Sequence, residues 1–517
     1  MSINLEKFTY LKQVEVWCIQ EVSCKGYTDG NPFVDYSIKG IFKSKNENVT
    51  VEGFYDGDGC YKVRFMPSFE EEYSFQIIGN FSDKEYSGSF IVTPASGNNH
   101  GPVRVVKKFH FSYEDGTPYY SIGTTCYVWE LQSEELQEKT LETLKENAFN
   151  KIRFCIFPKH YDYNLTEPRS YPYVGTPCDS LVLTKENFDK YNYNTKGNEW
   201  DFTCFNVEHF QHIEYCIRKL QELSIEADLI LMHPYDRWGF SNMKPKEDDL
   251  YLKYVVARFA SYRNIWWSLA NEYDLMPQKS FGDWQRFAKI ICEQDPYCHL
   301  KSIHNCNAFY DYSMPWVTHC SIQRQELYKS AELVAEWRER YQKPIVLDEI
   351  AYEGNIQHGW GNISGKEMVR RFWEATCRGG YAGHGETYLN PENVLWWSHG
   401  GKLHGDSPKR LKFLSKILSE TPGTGLMPLK ASWDEVVAIV DDTTESWKKV
   451  HDYYLYYYSF MRPSFREYYY DDDSSFEVEV IDTWEMTIEN RGVFRGKFKI
   501  NLPGKEYIAV RIRRVCL

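Results

Sequence analysis

The chain has 517 residues, a formal charge of −13 and an aromatic content of 17%, with 16 Trp and 40 Tyr. That length exceeds one hydrophobic core and predicts two or three domains. The acidic balance excludes a nucleic-acid partner, because phosphate recognition needs clustered Lys and Arg.

MSINLEKFTYLKQVEVW lacks the basic-then-apolar pattern of an export signal, and no apolar run approaches membrane-spanning length. No membrane partner and a cytoplasmic location are expected. The 14 cysteines are scattered without CxxC pairs, and Cys126, Cys155 and Cys320 fall inside strand-like runs. They read as buried thiols in a reducing compartment. Aromatic rings stack on sugar faces, although surplus Tyr and Trp also arise from packing and sheet preference.

Residues 1–100 alternate short β-rich runs with turn signals, as where Asp56-Gly57-Asp58-Gly59 separates VEGFY from YKVRF. This predicts a small Ig-like antiparallel sandwich, ended by the linker Pro94–Pro102.

From 101 to 424 strands alternate with amphipathic helices. Tyr119–Thr125, Lys151–Phe157, Ala227–His233, Ile265–Asn271, His299–His304, Trp316–Cys320, Pro344–Glu349 and Gly380–Glu386 supply eight candidate strands. Phe210, Ile213, Ile217, Leu220 and Leu223 share a helical face, Ser364 with Glu367 makes a capping box, and Ser407-Pro408 opens a last helix. The alternation predicts an α/β fold, a (β/α)8 TIM barrel.

Residues 425–517 return to strands and predict a small C-terminal β-sandwich. In it Tyr468–Asp473 reads as a solvated acidic turn in preference to a Ca2+ loop.

Within the barrel, Asn271-Glu272 and Glu349 end apolar runs that read as strands buried on both faces. A lone Glu after a strand is usually a solvated loop residue or a charge at a helix N-terminus. Two of them 77 residues apart leave room for three βα units, which puts them at the mouth ends of strands four and seven. A pair of carboxyls there is what glycoside hydrolysis needs, one to protonate the leaving oxygen and one to attack the anomeric carbon.

Arg153 is a charge inside an apolar strand and must be paired, best with a catalytic carboxylate, the alternative being an ion pair away from the mouth. The loop Phe157–Asn164 and the segment His233–Trp238 leave strands two and three, so His160, His233, Asp236 and Trp238 are candidate sugar contacts as well as candidate loop-packing residues. His304, Gln323, Trp396 and Trp397 join them at later strand ends. Loops 158–206 and 351–363 would shape the pocket. The histidines could also gather a metal, but no HxH or HExxH spacing occurs, and neither metal nor cofactor is expected.

GPVRVV, FHFSYEDGTPYYSIGTTCYVW, FPKHYDYN, HPYDRWGF and WSLANEYD resemble the apiosidase-like glycosidases, barrels of glycoside hydrolase clan A with an N-terminal β-sandwich of unknown function and a C-terminal β domain. The resemblance covers nearly the whole chain. It implies a retaining enzyme with Glu272 as acid/base, Glu349 as nucleophile and Asn271 bonding the sugar 2-hydroxyl. The apiosidases carry aspartate as the acid, where this chain presents Glu272. The expected function is hydrolysis of terminal, β-linked sugars from an oligosaccharide or glycoside; the alternative is a catalytically silent sugar-binding barrel. A homo-oligomer is compatible with the sequence.

Overall fold

The computed structural model describes residues 2–5, 8–164, 167–178, 197–326, 329–429, 435–440 and 450–515. Parts of the 158–206 loop, residues 165–166 and 179–196, lie outside the described residues.

Eight parallel strands form the central sheet: β1 (Ile122–Thr125), β2 (Lys151–Cys155), β3 (Glu226–Ile230), β4 (Ile265–Ser268), β5 (Leu300–Ser302), β6 (Cys320–Gln323), β7 (Ile345–Glu349) and β8 (Tyr381–His384). Each is buried along its whole length, because helices cover one face and the barrel interior the other. The ladder runs β5-β4-β3-β2-β1-β8-β7-β6 and closes between β5 and β6 through a single bridge, His304 to Ser321. Side chains complete that seam: Ser302 Oγ donates to His319 O at 2.6 Å and Thr318 Oγ1 to Lys301 O at 2.9 Å.

Two strands differ from expectation. Tyr119 pairs with Phe111 in a separate three-stranded sheet, so only Ile122–Thr125 enters the barrel. Strand six begins where it was expected to end, at Cys320, because Pro315 and a turn closed by Val317 N to Met314 O hold the preceding residues out of the ladder.

Among the described residues the helices of eight residues or more are α1 (Glu134–Glu146), α2 (Val207–Glu222), α3 (Pro245–Phe259), α4 (Phe281–Gln294), α5 (Val334–Tyr341), α6 (Gly365–Cys377) and α7 (Ser407–Ser419), and a single helical turn spans Trp396–His399. Phe210, Ile213, Ile217 and Leu220 of α2 are buried as their spacing predicts. Ser364 caps α6 by accepting from Glu367 N at 3.3 Å, but the Glu367 carboxylate turns to Arg370 and Arg371 and does not close the box. The β5–β6 connection, residues 303–319, is built of turns.

The three-stranded sheet Val103–Val106, His110–Tyr113, Pro118–Tyr119 seals the N-terminal end of the barrel. Phe111 packs on Trp266 and Tyr381, with ring centroids 5.2 and 5.0 Å away, and on Val346 and Leu300, all from strand starts. Just above this plug Lys151 Nζ bridges Asp228 and Asp348 at 2.7 and 2.6 Å, all three fully buried.

Two five-stranded sheets precede the barrel and face each other across stacked Phe42 and Phe65, 4.3 Å between centroids. They dock through charge: Arg258 of α3 pairs with Asp56 at 2.5 Å and with Glu214 of α2 at 2.6 Å, and Glu214 also holds Arg64. After the barrel come a six-stranded sheet and a two-stranded ladder, Phe465–Tyr469 with Lys497–Asn501. Tyr457 of the sheet stacks on Trp373 of α6. Asp472, in the acidic run, caps its own turn through Ser474 N at 3.0 Å and meets Arg514 at 3.2 Å.

Candidate active site

At the C-terminal mouth a cavity of about 170 Å3 is lined by Glu272 and Glu349 together with Tyr127, Lys159, Tyr161, Tyr235, Gln323, Gln325, Tyr352, Trp360 and Trp397. This volume is many times what one water needs. Both strand ends turn through left-handed residues, Glu272 itself (φ 51°) and Ala351 (φ 63°). Such conformations are uncommon outside glycine and recur at sites where the chain must aim a side chain.

The two carboxyls live in opposite surroundings. Glu349 accepts from the Tyr127 hydroxyl, from Gln325 Nε2 at 3.4 Å and from His304 Nε2 at 3.2 Å, with Arg153 Nη1 at 3.6 Å. Burial alone would raise its pKa; the hydrogen bond and charge of His304, then Arg153 and Tyr127, outweigh it and hold the carboxyl down at about 2. Glu272 accepts from the Tyr235 hydroxyl and from Gln323 Nε2 at 3.1 Å. There burial, then the charge of Glu349, pushes the pKa up against the pull of Lys159, Tyr235 and His304. One site thus keeps an ionised carboxylate beside a carboxyl that favours its proton.

His304 joins the two. Its Nε2 lies 3.1 Å from Gln323 Oε1, whose amide nitrogen bonds Glu272, and its Nδ1 lies 3.0 Å from Ser321 Oγ. Ser321 gives its own proton to Asp348. Both ring nitrogens therefore face oxygens that can accept.

Asn271 Oδ1 accepts from Arg153 Nη2 at 3.1 Å and lies 3.2 Å from Tyr127 Oη, whose proton is shared with the nearer Glu349, and its own amide points to Glu272 at 3.4 Å. Arg153 also approaches Asp228 at 3.6 Å. Among the residues expected as sugar contacts, Gln323 and Trp397 line the cavity, and His304 stands behind it against Glu349.

The others turn away. Trp396 donates from Nε1 to Thr124 at 2.8 Å inside the wall. Asp236 binds the N–H groups of Trp238, Gly239 and Ser241 at 2.9, 3.0 and 2.6 Å, folding its own loop. His160 meets the edge of buried Trp238, and His233 Nε2 donates to Phe157 O at 3.2 Å; burial drives the pKa of each down to about 3. His160, His233, Asp236 and Trp238 thus pack loops β2–α2 and β3–α3 against each other.

Sequence reasoning passed over Tyr127, Tyr235 and Lys159. The Lys159 ammonium sits 3.4 Å from the Tyr127 ring centroid, 4.3 Å from Tyr235, 4.9 Å from Trp397 and 5.9 Å from Tyr161, in an aromatic cage between the two carboxyls. Burial lowers its pKa to about 8, against the pull of the carboxyls that face it, Glu272 and Glu349. The signal was present in FPKHYDYN: a Lys flanked by aromatics at a strand exit.

The model of the apiosidase-like catalytic domain matches residues 106–443, and two domains of unknown function, DUF5060 and DUF5605, match residues 13–80 and 433–513. A solved structure from Bacteroides vulgatus ATCC 8482, described provisionally as a glycoside hydrolase, is 37% identical, with a TM-score of 0.88 over 98% of this chain and 100% of that one. A second structure, described as a glycoside hydrolase, shares the fold at 16% identity and a TM-score of 0.59, covering 80% of this chain and 97% of that one. No match is found among curated proteins. With its family model spanning most of the chain and a full-length relative above that identity, this protein belongs to the apiosidase-like family of glycoside hydrolase barrels.

Proposed function

We propose that the protein is a retaining glycosidase in which Glu349 attacks the anomeric carbon and Glu272 first protonates the leaving oxygen, then deprotonates water. The observation that carries this is the opposed environment of two carboxyls lining one cavity, Glu349 among four donors and Glu272 buried beside its charge.

The chemistry follows from that contrast. Ionised Glu349 forms the bond to the sugar while the proton of Glu272 moves to the departing oxygen. Glycosylation removes the charge of Glu349, so the repulsion that kept Glu272 protonated falls away while Lys159 remains. Glu272 then accepts a proton from water as water attacks the same carbon, and Glu349 leaves as carboxylate. Asn271, held by Arg153 and Tyr127, is proposed to bond a ring hydroxyl as positive charge develops. Trp360 and Trp397 offer faces for stacking.

The substrate is proposed as a terminal, β-linked sugar on an oligosaccharide or glycoside. Among the described residues no helix is long and apolar enough to cross a membrane, and action in the cytoplasm is part of the proposal. A panel of nitrophenyl glycosides, β-galactoside, β-glucoside, β-xyloside, α-L-arabinofuranoside and β-apioside, tests it with Glu349→Gln as control. Turnover that vanishes in the variant is the expected result. Turnover surviving Glu349→Gln, or products of inverted configuration, would overturn the assignment.

A further inference from the structure

A second cluster of ionisable groups lies away from the cavity. Glu353 follows β7, His384 ends β8, and Glu386 follows β8; a short parallel ladder pairs Glu353 with Glu386, which directs their side chains to one side. Ligand atoms from Glu353, His384 and Glu386 lie within 4.8 Å of one another, and the three side chains are 0%, 0% and 1% exposed. None lines the mouth cavity.

The bonding around them leaves a gap. Glu386 accepts only two N–H groups, from His404 and from Gly405 at 2.8 Å, so each of its oxygens keeps a lone pair. Glu353 accepts from Asp406 N at 2.7 Å and Ser407 N at 3.1 Å at the start of α7, and from the hydroxyls of Ser407 and Tyr388, the latter at 3.2 Å and able to turn aside. Among the described residues neither carboxylate has a Lys or Arg partner.

His384 supplies the observation that points to a ligand. Its Nδ1 lies 3.2 Å from Thr124 Oγ1, while its Nε2, fully buried, has no hydrogen-bond partner among the described residues. In the tautomer that carries its proton on Nδ1 and donates it to Thr124, the Nε2 lone pair is free, the arrangement in which a ligating histidine is usually held from behind.

We infer that Glu353, His384 and Glu386 form a binding site for a divalent transition-metal ion of the Zn2+ or Mn2+ class, bound by His384 Nε2 and one oxygen of each carboxylate. Two hard oxygens and one imidazole nitrogen suit those ions; Ca2+ prefers oxygen alone, and soft ions prefer thiolates. The ion would balance two buried carboxylates whose ligand atoms lie within 4.8 Å of each other. It would tie the extensions of β7 and β8 to the first turn of α7, a structural clasp four residues beyond Glu349 in the chain.

The inference is independent of the catalytic proposal and is tested without turnover. Metal content of the full-length protein, purified without chelator, is expected to be one ion per chain and to fall to background in His384→Gln and Glu386→Gln. Protein stripped with chelator should regain a higher melting temperature on adding Zn2+ or Mn2+, a gain that His384→Gln lacks. Wild-type protein that holds no metal and takes up neither ion would overturn the inference. So would metal retained in both variants. Should the variants fail to fold, the titration of stripped wild type decides.

Discussion

The Lys159 ammonium stands over the face of the Tyr127 ring, 3.4 Å from its centroid, and the hydroxyl of that ring donates to Glu349. A cation on the ring face draws electron density from the ring and makes the hydroxyl a stronger donor. Lys159 lies over Tyr235 in the same way, and Tyr235 donates to Glu272. One side chain therefore acts on both carboxyls through the tyrosines that hold them.

Tyr127→Phe removes a donor that lowers Glu349, so the Glu349 pKa rises and the acidic limb of kcat/KM moves to higher pH. A lost bond to a charged group costs about 1.5–3 kcal/mol, roughly 10- to 150-fold in rate. A pH–rate profile checks it, and an unmoved acidic limb would remove Tyr127 from this role.

Lys159→Met acts at the other limb. The Lys159 charge lowers Glu272, so its loss raises Glu272, which then keeps its proton to higher pH. The alkaline limb should move upward while the acidic limb, governed by Glu349, moves up less. A rate loss uniform across pH would mark Lys159 as a packing residue only.

Glu272→Ala should depend on the leaving group. General acid catalysis contributes about 10²–10⁴-fold, and a glycoside whose aglycone leaves without a proton escapes that part of the loss. Comparing dinitrophenyl with methyl glycosides measures the difference; equal losses on both would count against Glu272 as the acid.

Lys151→Met tests the barrel and not the site. It strands Asp228 and Asp348 without their shared cation, and an uncompensated buried charge costs about 3–5 kcal/mol. Urea unfolding should show this, and adding Asp228→Asn with Asp348→Asn should restore part of it.

The barrel and its two glutamates were legible because buried parallel strands carry continuous apolar runs, and IWWSLA and IVL end where their carboxyls begin. What surrounds them was not. Loops have no period, so the sequence named the right loops and could not say which side chains face inward. In HPYDRW the inward residue is Tyr235, while Asp236 spends its oxygens on its own turn. In FPKHYDYN they are Lys159 and Tyr161 and not His160. Trp396 and Trp397 are adjacent, yet one helical step sends the first into the wall and the second into the cavity. The Glu353–His384–Glu386 cluster was invisible for a different reason: its members come from two strand ends and share no local spacing.

The aromatic plug beneath the barrel has a kinetic meaning. With Phe111 wedged against Trp266 and Tyr381, the floor is shut, and the mouth that admits a molecule to Glu272 and Glu349 must also discharge it. In the proposed reaction the departing aglycone and the incoming water would share that one doorway. On that reading, how long the first lingers there would set how soon the second can begin, making the residence of the leaving group a control on turnover in its own right.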